Sequence, residues 1–471
     1  MSQTFKPYSR DQMYLLPPSM KEWLPAGDLA YFIIDVVDAL DLSEMIRRYA
    51  VVEGADGRAV RAKAASGQPP FHPKVMTALL LYAYCNGAPS SRRIARLCER
   101  DIGYRVVSAD QQPNFRTISE FRRIHLKALK GLFVQALRLA QKAGLVKMGH
   151  VALDGTKIKA NASKRKAMSY ARMCEKEADY ARQVEELLRR AEETDEAEDR
   201  EYGPLVRGDE LPEELRFRER RLEKIREAKK ALEEEAKEKA RAEGKLARRG
   251  GLDEREQPIP PERGKFTRRG GPPKTPPGTP EPKDQRNFTD PESRIMKMGN
   301  GSFDQAYNCQ AAVDAEAQIV VACEAVSAAN DKQQVEPMVE KIRRNTGRVP
   351  KRASSDSGFY SEANVRYLRS KRIDDYVCPD RLKHGTTPPS VRGRIPDKLS
   401  FIDRVRRKLM TKKGRMVYAL RKQIVEPVFG QIKQARGLRQ FLLRGREKVD
   451  AEWSLWCMTH NLLKVWAATS R

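Results

Sequence analysis

The stretch Gly149-His150-Val151-Ala152-Leu153-Asp154-Gly155-Thr156-Lys157 decides how the chain is read. Val151 to Leu153 is a short apolar run, predicted to be a buried strand, and it stops at a carboxylate followed at once by Gly155. A strand that delivers an acid to its own end, with a glycine to turn the chain away, is one way to place a metal ligand. Asp-Gly is also the commonest turn dipeptide, so the stretch alone predicts a strand ending in a turn. Residues elsewhere in the chain decide between these readings.

Asp356 repeats the pattern. A short strand ends in Ser354-Ser355-Asp356-Ser357-Gly358, and parallel neighbouring strands would put Asp154 and Asp356 at the same sheet edge. Glu426, within Arg421-Lys422-Gln423-Ile424-Val425-Glu426-Pro427, supplies a third acid. Three carboxylates with few neutralising neighbours repel one another and gather hard divalent cations through oxygen, Mg2+ (or Mn2+) above all. Pro427 lacks an amide hydrogen, so it either kinks the helix carrying Glu426 or begins a new one; in the second case Glu426 would cap a positive helix end.

The 471 residues exceed one simple core and predict two or three domains. Hydrophobic residues make up 40%, enough for globular cores, while 33% charged residues and a mean hydropathy of -0.69 imply a large polar excess. A net charge of +27 calls for a polyanionic partner, most simply nucleic acid. An anionic membrane surface would require a basic amphipathic helix with bulky apolar residues, and none is evident. Seven scattered cysteines without a Cys-x-x-Cys disfavour a zinc site and a disulfide framework. No signal-peptide core and no bilayer-length apolar run stand out, so the expected location is cytoplasmic and nucleoid-associated.

Residues 1–146 read as an all-α N-terminal domain. Leu29 to Leu40 has helical spacing, and Pro73 opens a helix running to about Asn86. Ser90 or Ser91 caps the next, with Arg92, Arg93 and Arg96 facing outward. Thr117-Ile118-Ser119-Glu120 reads as a capping box opening one long helix that Gly144 ends. Short helices, tight turns and arginines near helix starts suit a DNA-binding unit of helix-turn-helix type.

Between Ser163 and Asp290 the composition changes. Ala171, Cys174, Ala178, Ala181, Val184, Leu188 and Ala191 recur at coiled-coil spacing, as do Leu215, Leu222, Ile225 and Leu232. A helical hairpin over 163–245 is expected, then a disordered Gly/Pro/Arg-rich linker over 246–290. Strand-like sequence resumes after it. A hairpin (Ser302 to Val313, Gln318 to Val326) precedes a helix from about Asp331, the strand before Asp356, a helix from Ser361 and a strand from Ile373. With Gly149 to Asp154 as first strand, this order predicts an α/β ribonuclease H-like catalytic domain, 147–162 plus 291–471, interrupted by the helical hairpin insertion.

Four segments then make a resemblance specific: Gln12 to Leu40, Ser90 to Phe121, Val151 to Lys164 and Val425 to Lys433. Asn287 to Lys297 and Tyr307-Asn308-Cys309-Gln310 also fit. The chain resembles a bacterial insertion-sequence transposase of the DDE type. The resemblance implies that Asp154, Asp356 and Glu426 are the catalytic, metal-binding trio. It implies Mg2+-dependent phosphodiester cleavage at the element's terminal inverted repeats, strand transfer into target double-stranded DNA, and a homodimer on DNA. Such families carry a tyrosine, an arginine and a downstream lysine around the glutamate, as DNA contacts. Tyr418 and Lys433 fit. Arg421 lies one position further from Glu426 than the common spacing and Lys422 falls where arginine is expected, so the two rank equally.

Rival readings are a nuclease of the same fold without strand transfer, a catalytically inactive DNA-binding protein, and a coiled-coil scaffold. The last leaves both flanking regions unexplained. Among other acids, Asp314 reads as a turn residue, Asp331 as a helix cap and Asp304 as an outside candidate; His150 reads as lying beside the site or at the surface. Trp453, Trp456, Cys457, His460 and Leu463 mark a final amphipathic helix.

Overall fold

Short polar caps set the helix starts in the first part of the chain. The computed structural model describes residues 19–49, 51–53, 59–61, 70–202, 213–242, 275–276, 278–379 and 389–469. Asp28 accepts from Ala30 N at the head of α1 (Leu29–Ala39), which is followed by α2 (Ser43–Arg47) and a small antiparallel pair, β1 (Val51–Glu53) and β2 (Ala59–Arg61). His72 caps α3 (Pro73–Cys85), whose first residue is the expected proline. Then come α4 (Ser91–Arg100), α5 (Ile102–Val107), α6 (Phe115–Ile124) and α7 (Leu126–Lys142). The Thr117–Glu120 box does not open α6: Asn114 does, accepting from Thr117 N, because it lies one turn nearer the helix start. The single long helix is two, broken at His125, and Gly144 leaves the second at φ +72. Arg122 is buried and ties α6 to its neighbours through Tyr84 Oη (3.1 Å), the Pro89 carbonyl (2.8 Å) and Ser91 Oγ (2.6 Å).

The sheet begins with β3 (Val151–Lys159), which is longer than its apolar run suggests. A second small pair, β4 (Ala167–Ser169) with β5 (Gln285–Asn287), brackets α8 (Tyr170–Tyr202) and α9 (Glu213–Ala242). The main sheet continues with β6 (Arg294–Lys297), β7 (Phe303–Asp314), β8 (Val320–Val326), β9 (Arg352–Ser355) and β10 (Asp374–Val377). The order is β10-β9-β3-β7, with β6 and β8 both on the far edge of β7. β9 and β10 are parallel, as are β3 and β9, whereas β7 is antiparallel to its partners. Helices α10 (Val335–Thr346), α11 (Glu362–Ser370), α12 (Phe401–Met410), α13 (Lys412–Gly430) and α14 (Arg446–Thr469) complete the layers. A helical N-terminal region joined to a mixed α/β sheet is consistent with a ribonuclease H-like domain. No helix among the described residues is long and apolar enough to cross a membrane.

α14 is more than an amphipathic helix. Val449 to Leu462 is buried on every side, including Asp450, Glu452, His460 and Asn461. Its polar side chains cover the open edge of β8. Asp450 accepts from Ala325 N (2.8 Å), and the Asn461 amide bonds both Val320 N and Val320 O at 2.8 Å. An edge strand's unpaired backbone groups are thereby satisfied by a helix. α14 also packs on α3 and α7, so one continuous apolar core runs from the N-terminal helices into the sheet.

On α9 the expected Leu222, Ile225 and Leu232 are buried, but α8 meets them with a different face from the expected one. Met173 is fully buried with Ile225, Ala228 and Leu232, and Glu177 bonds Arg226 (3.2 Å) and Lys229 (2.9 Å). Ala171, Ala178 and Leu188 are exposed. Met173 and Tyr180, spaced by seven, offer more apolar area than the alanines and set the seam. Most of the Gly/Pro/Arg-rich tract lies outside the described residues, but pairing resumes at Gln285, and Asn287 and Asp290 are fully buried. Residues 285–290 are therefore part of the folded structure, inside the bounds expected for the linker.

Trp453 joins the layers: it is fully buried and its indole N–H donates to the Gln310 carbonyl (3.0 Å). Trp453→Ala should cost about 3–5 kcal/mol in urea unfolding, by the cavity it leaves; a loss below about 1 kcal/mol would mean that α14 does not carry the sheet.

Candidate active site

Asp154 sits inside β3, not at its end. Its pairing continues through Lys159, so Gly155 turns nothing. What glycine supplies here is clearance. A Cβ on Gly155 would lie 2.7 Å from Asp331 Oδ1, 2.7 Å from Gln310 Nε2 and 2.9 Å from Asn308 Oδ1. In a strand this is the mark of a close approach by other groups.

The parallel register of β3 with β9 pairs Ala152 with Ser354, and two residues on from these stand Asp154 and Asp356. Both aspartates therefore meet at neighbouring positions on one side of the sheet. Asp356 caps the short turn Ser357–Phe359 by accepting from Gly358 N (2.9 Å). Asp154 accepts from its own neighbour Gly155 N (2.8 Å) and, through Oδ2, from Arg421 Nη1 (2.8 Å). That ion pair is well shielded, the side chains being 10% and 15% exposed. Burial pushes the Asp154 carboxyl up to about 6; Arg421 and the Gly155 N–H pull it down, while the charges of Asp356 and Asp331 add to the rise. Burial works against the Arg421 charge, but the fields of Asp154, Tyr418, Asp356 and Glu426 outweigh it and its pKa is raised.

Arg421 reaches Asp154 from α13. Val417, Arg421, Ile424, Val425 and Val428 form its buried stripe. Glu426 is one residue past that stripe, about 100° around the helix, and is exposed. The five-residue spacing from Arg421 to Glu426 thus places the glutamate on a face turned away from the sheet. Lys422 is exposed, so Arg421 and Lys422 are not equivalent: only Arg421 meets a catalytic candidate. Pro427 lies within the helix, so it begins no new one and Glu426 caps nothing. The carbonyl it deprives of a partner, Gln423 O, accepts instead from Gln318 Nε2 (2.9 Å). Gln318, in the β7–β8 turn at φ +57, also accepts from Lys464 Nζ (2.7 Å) and meets His460 Nε2 at its carbonyl (2.9 Å). One turn residue therefore clamps α13 to α14.

Beyond Gly430 the helix widens into a π turn, Gln431–Ala435, a device frequent at functional sites. Lys433 lies in it and donates to Thr156 Oγ1 (2.9 Å), two residues from Asp154. Tyr418 is half-buried with Arg421 beside its ring at 5.9 Å, and burial pushes its phenol up to about 12. Arg92 and Arg93 are exposed on α4, remote in sequence from these groups.

Other acids separate clearly. Asp304 pairs with Lys159 and Lys164, both at 3.1 Å. Asp314 accepts from Met148 N (2.6 Å) and Glu316 N (3.1 Å), as a turn residue does. His150 is buried against Ser354 Oγ (2.8 Å), and burial lowers its pKa to about 4. Asp331 is not a helix cap. Its Oδ1 accepts from Asn308 Nδ2 (2.7 Å) and Gln310 Nε2 (2.6 Å), and its carboxylate lies over Gly155 and Gly358. Two signals in the sequence pointed there: a glycine inside a strand, and polar Asn308 and Gln310 alternating along an otherwise apolar one.

The donors near Asp154 are carboxylate oxygens, the chemistry of a hard divalent cation. Among the described residues, however, no three His, Cys, Asp or Glu are arranged to hold a metal ion. Arg421 supplies positive charge at Asp154 instead. The residues fit such a cation by donor type and by excess negative charge, since neither Asp356, Asp331 nor Glu426 has an ion-pair partner among the described residues.

A mixed sheet that brings two aspartates together from neighbouring parallel strands, behind a helical region, is consistent with a ribonuclease H-like domain. A family model described as a transposase DDE domain matches residues 271–462, and one described as a transposase domain (DUF772) matches residues 18–123. Both matches support an insertion-sequence DDE transposase and indicate DNA transposition. The first match covers Asp331, Asp356, Arg421, Glu426 and Lys433, while Asp154 lies in the unmatched stretch between the two. No curated protein and no solved structure matches the chain.

The Asp154–Arg421 pair makes a direct prediction. Without divalent ions at pH 8, Arg421→Met should lose about 3 kcal/mol of stability, because it leaves a buried carboxylate unpaired. The loss should shrink as pH falls toward about 6, because removing Arg421 raises the Asp154 pKa further, and should be small below it. Lys422→Ala should stay within about 0.5 kcal/mol. Equal losses at the two positions in urea titrations would contradict the pairing.

Proposed function

We propose that this transposase cleaves phosphodiester bonds at the ends of its element and joins the freed 3′-hydroxyl to target DNA. Asp154, Asp356 and Glu426 would hold Mg2+ or Mn2+. The observation that carries the reading is the meeting of Asp154 and Asp356 across β3 and β9, with Arg421 reaching them from the helix that bears Glu426. When bound, the cation activates the attacking oxygen and stabilises the leaving one.

The remaining work falls to this chain's own residues. Arg421, held at Asp154, keeps that carboxylate oriented. Lys433, fixed by Thr156, points a cation at the same strand and would meet a phosphate oxygen of the bound DNA. Tyr418 stays a neutral phenol near neutral pH and can donate a hydrogen bond to the backbone. Lys422 is placed for a looser, solvent-screened contact with DNA. Arg92 and Arg93, with the rest of the exposed basic face of α4, would bind duplex DNA away from the chemistry. Synapsis of two element ends gives a homodimer on DNA.

On the same reading residues 1–146 form the DNA-binding region, and 147–162 with 291–471 the ribonuclease H-like domain. The pair α8–α9 is an insertion leaving the sheet after β3, and the linker that follows it ends before β5.

Incubating the protein with Mg2+ and a DNA fragment carrying the element's terminal repeats should give strand-transfer products. Asp154→Asn, Asp356→Asn and Glu426→Gln should each lower the yield about 100-fold or more, removing several kcal/mol of transition-state stabilisation. Nicks without joining would replace this reading with a nuclease; wild-type product levels from Asp154→Asn would end both.

A further inference from the structure

The turn that follows α13 is held from two sides, one of them the N-terminal helical region. The π turn Gln431–Ala435 carries Lys433 and closes where Arg436 N donates to the Gln431 carbonyl (3.0 Å). Arg436 is buried, and its guanidinium donates to Thr459 Oγ1 (2.8 Å) and to the Trp456 carbonyl (3.2 Å) on α14. No carboxylate among the described residues pairs with it, and its Nε has no hydrogen-bond partner. A cation withdrawn from water and answered only by neutral groups costs stability. What this one secures is position: it ties the exit of the π turn to α14.

The N-terminal region closes on the same residue. Gly87, just past α3, has φ +64, the left-handed conformation that commonly ends a helix. A Cβ there would lie 2.5 Å from the Arg436 carbonyl oxygen and 3.0 Å from Arg436 C and Cα. All three are backbone atoms, which cannot swing aside as the end of a long side chain can. Gly144 provides the contrast, leaving α7 at φ +72 with nothing within 4 Å of the same point. At 87, then, glycine supplies clearance as well as φ, and the clearance is against the residue that closes the Lys433 turn. The contact is braced from behind. The Tyr84 ring lies 5.0 Å from that of Trp456, and buried Arg122 bonds both Tyr84 and Ser91, the first residue of α4.

We propose that Gly87 and Arg436 are positioning residues for Lys433. The N-terminal region, through Gly87, holds the exit of the π turn and so keeps the lysine at Thr156, where it meets a DNA phosphate. The inference rests on the reading above of Lys433 as a phosphate contact. It gives the N-terminal region a part in the active site besides binding duplex DNA with α4.

The salt dependence of DNA binding tests this without reference to catalysis. Binding of a labelled duplex carrying the element's terminal repeat is followed in EDTA over a range of salt. Lys433→Ala should lower the slope of log affinity against log salt by about one, the loss of a single phosphate contact. Gly87→Asn adds a Cβ but no charge, and asparagine tolerates the left-handed conformation. It too should lower the slope by about one, and the double variant should fall no further than either alone. Gly144→Asn should keep the wild-type slope. A wild-type slope in Gly87→Asn, or a further drop when it is combined with Lys433→Ala, would overturn the inference and leave the phosphate contact standing. An unchanged slope in Lys433→Ala would overturn that contact and the inference with it. Should Gly87→Asn fail to fold, Arg436→Lys takes its place, keeping the charge but lacking the second arm of the guanidinium. The same loss of slope, with no further drop on adding Lys433→Ala, supports the proposal; a wild-type slope refutes it.

Discussion

The structure depends on a charge held within a strand. Asp154 is flanked by apolar residues in β3, largely withdrawn from water, and answered by one guanidinium. An ionised carboxylate in such a place is stable only with a partner. Much of the surrounding architecture serves that requirement. β9 runs parallel so that Asp356 arrives beside it, α13 lies across the sheet to deliver Arg421, and glycines at 155 and 358 let further groups close in. The ion pair also gives the site a resting state. On the proposed function, a divalent ion would compete for Asp154 and a phosphate for Arg421.

The phase of α13 follows from two local features. The five-residue spacing from Arg421 to Glu426 turns the glutamate outward, and the π turn after Gly430 brings the chain back so that Lys433 meets Thr156. Pro427 between them breaks one backbone hydrogen bond, and Gln318 replaces it from a different element.

Elements with a strong local signal were legible in the chain. Pro73 started its helix, the β7–β8 hairpin formed where strand-like sequence resumes, and Asp356 ended a strand as expected. What was hidden depended on tertiary partners. β3 continues past Asp154 because β7 pairs with it over its whole length, which no local pattern encodes. Arg421 and Lys422 looked alike because spacing to Glu426 was the guide; burial of the helix stripe separates them. Asp331 looked like a cap because it precedes a helix, whereas its partners, Asn308 and Gln310, sit more than twenty positions earlier on another strand. On α9 the seam residues Leu222, Ile225 and Leu232 are those the spacing predicts; on α8 small alanines keep the heptad spacing while larger Met173 and Tyr180 fill the interface.

The central claim is that Asp154 and Asp356 form a divalent-cation site now balanced by Arg421. Anomalous diffraction from crystals of the protein grown with Mn2+ and a DNA end tests it most directly. The account predicts a manganese peak between the two aspartates, with Glu426 turned toward it and the Arg421 bond to Asp154 broken. Manganese found only elsewhere, with that bond intact, would contradict it.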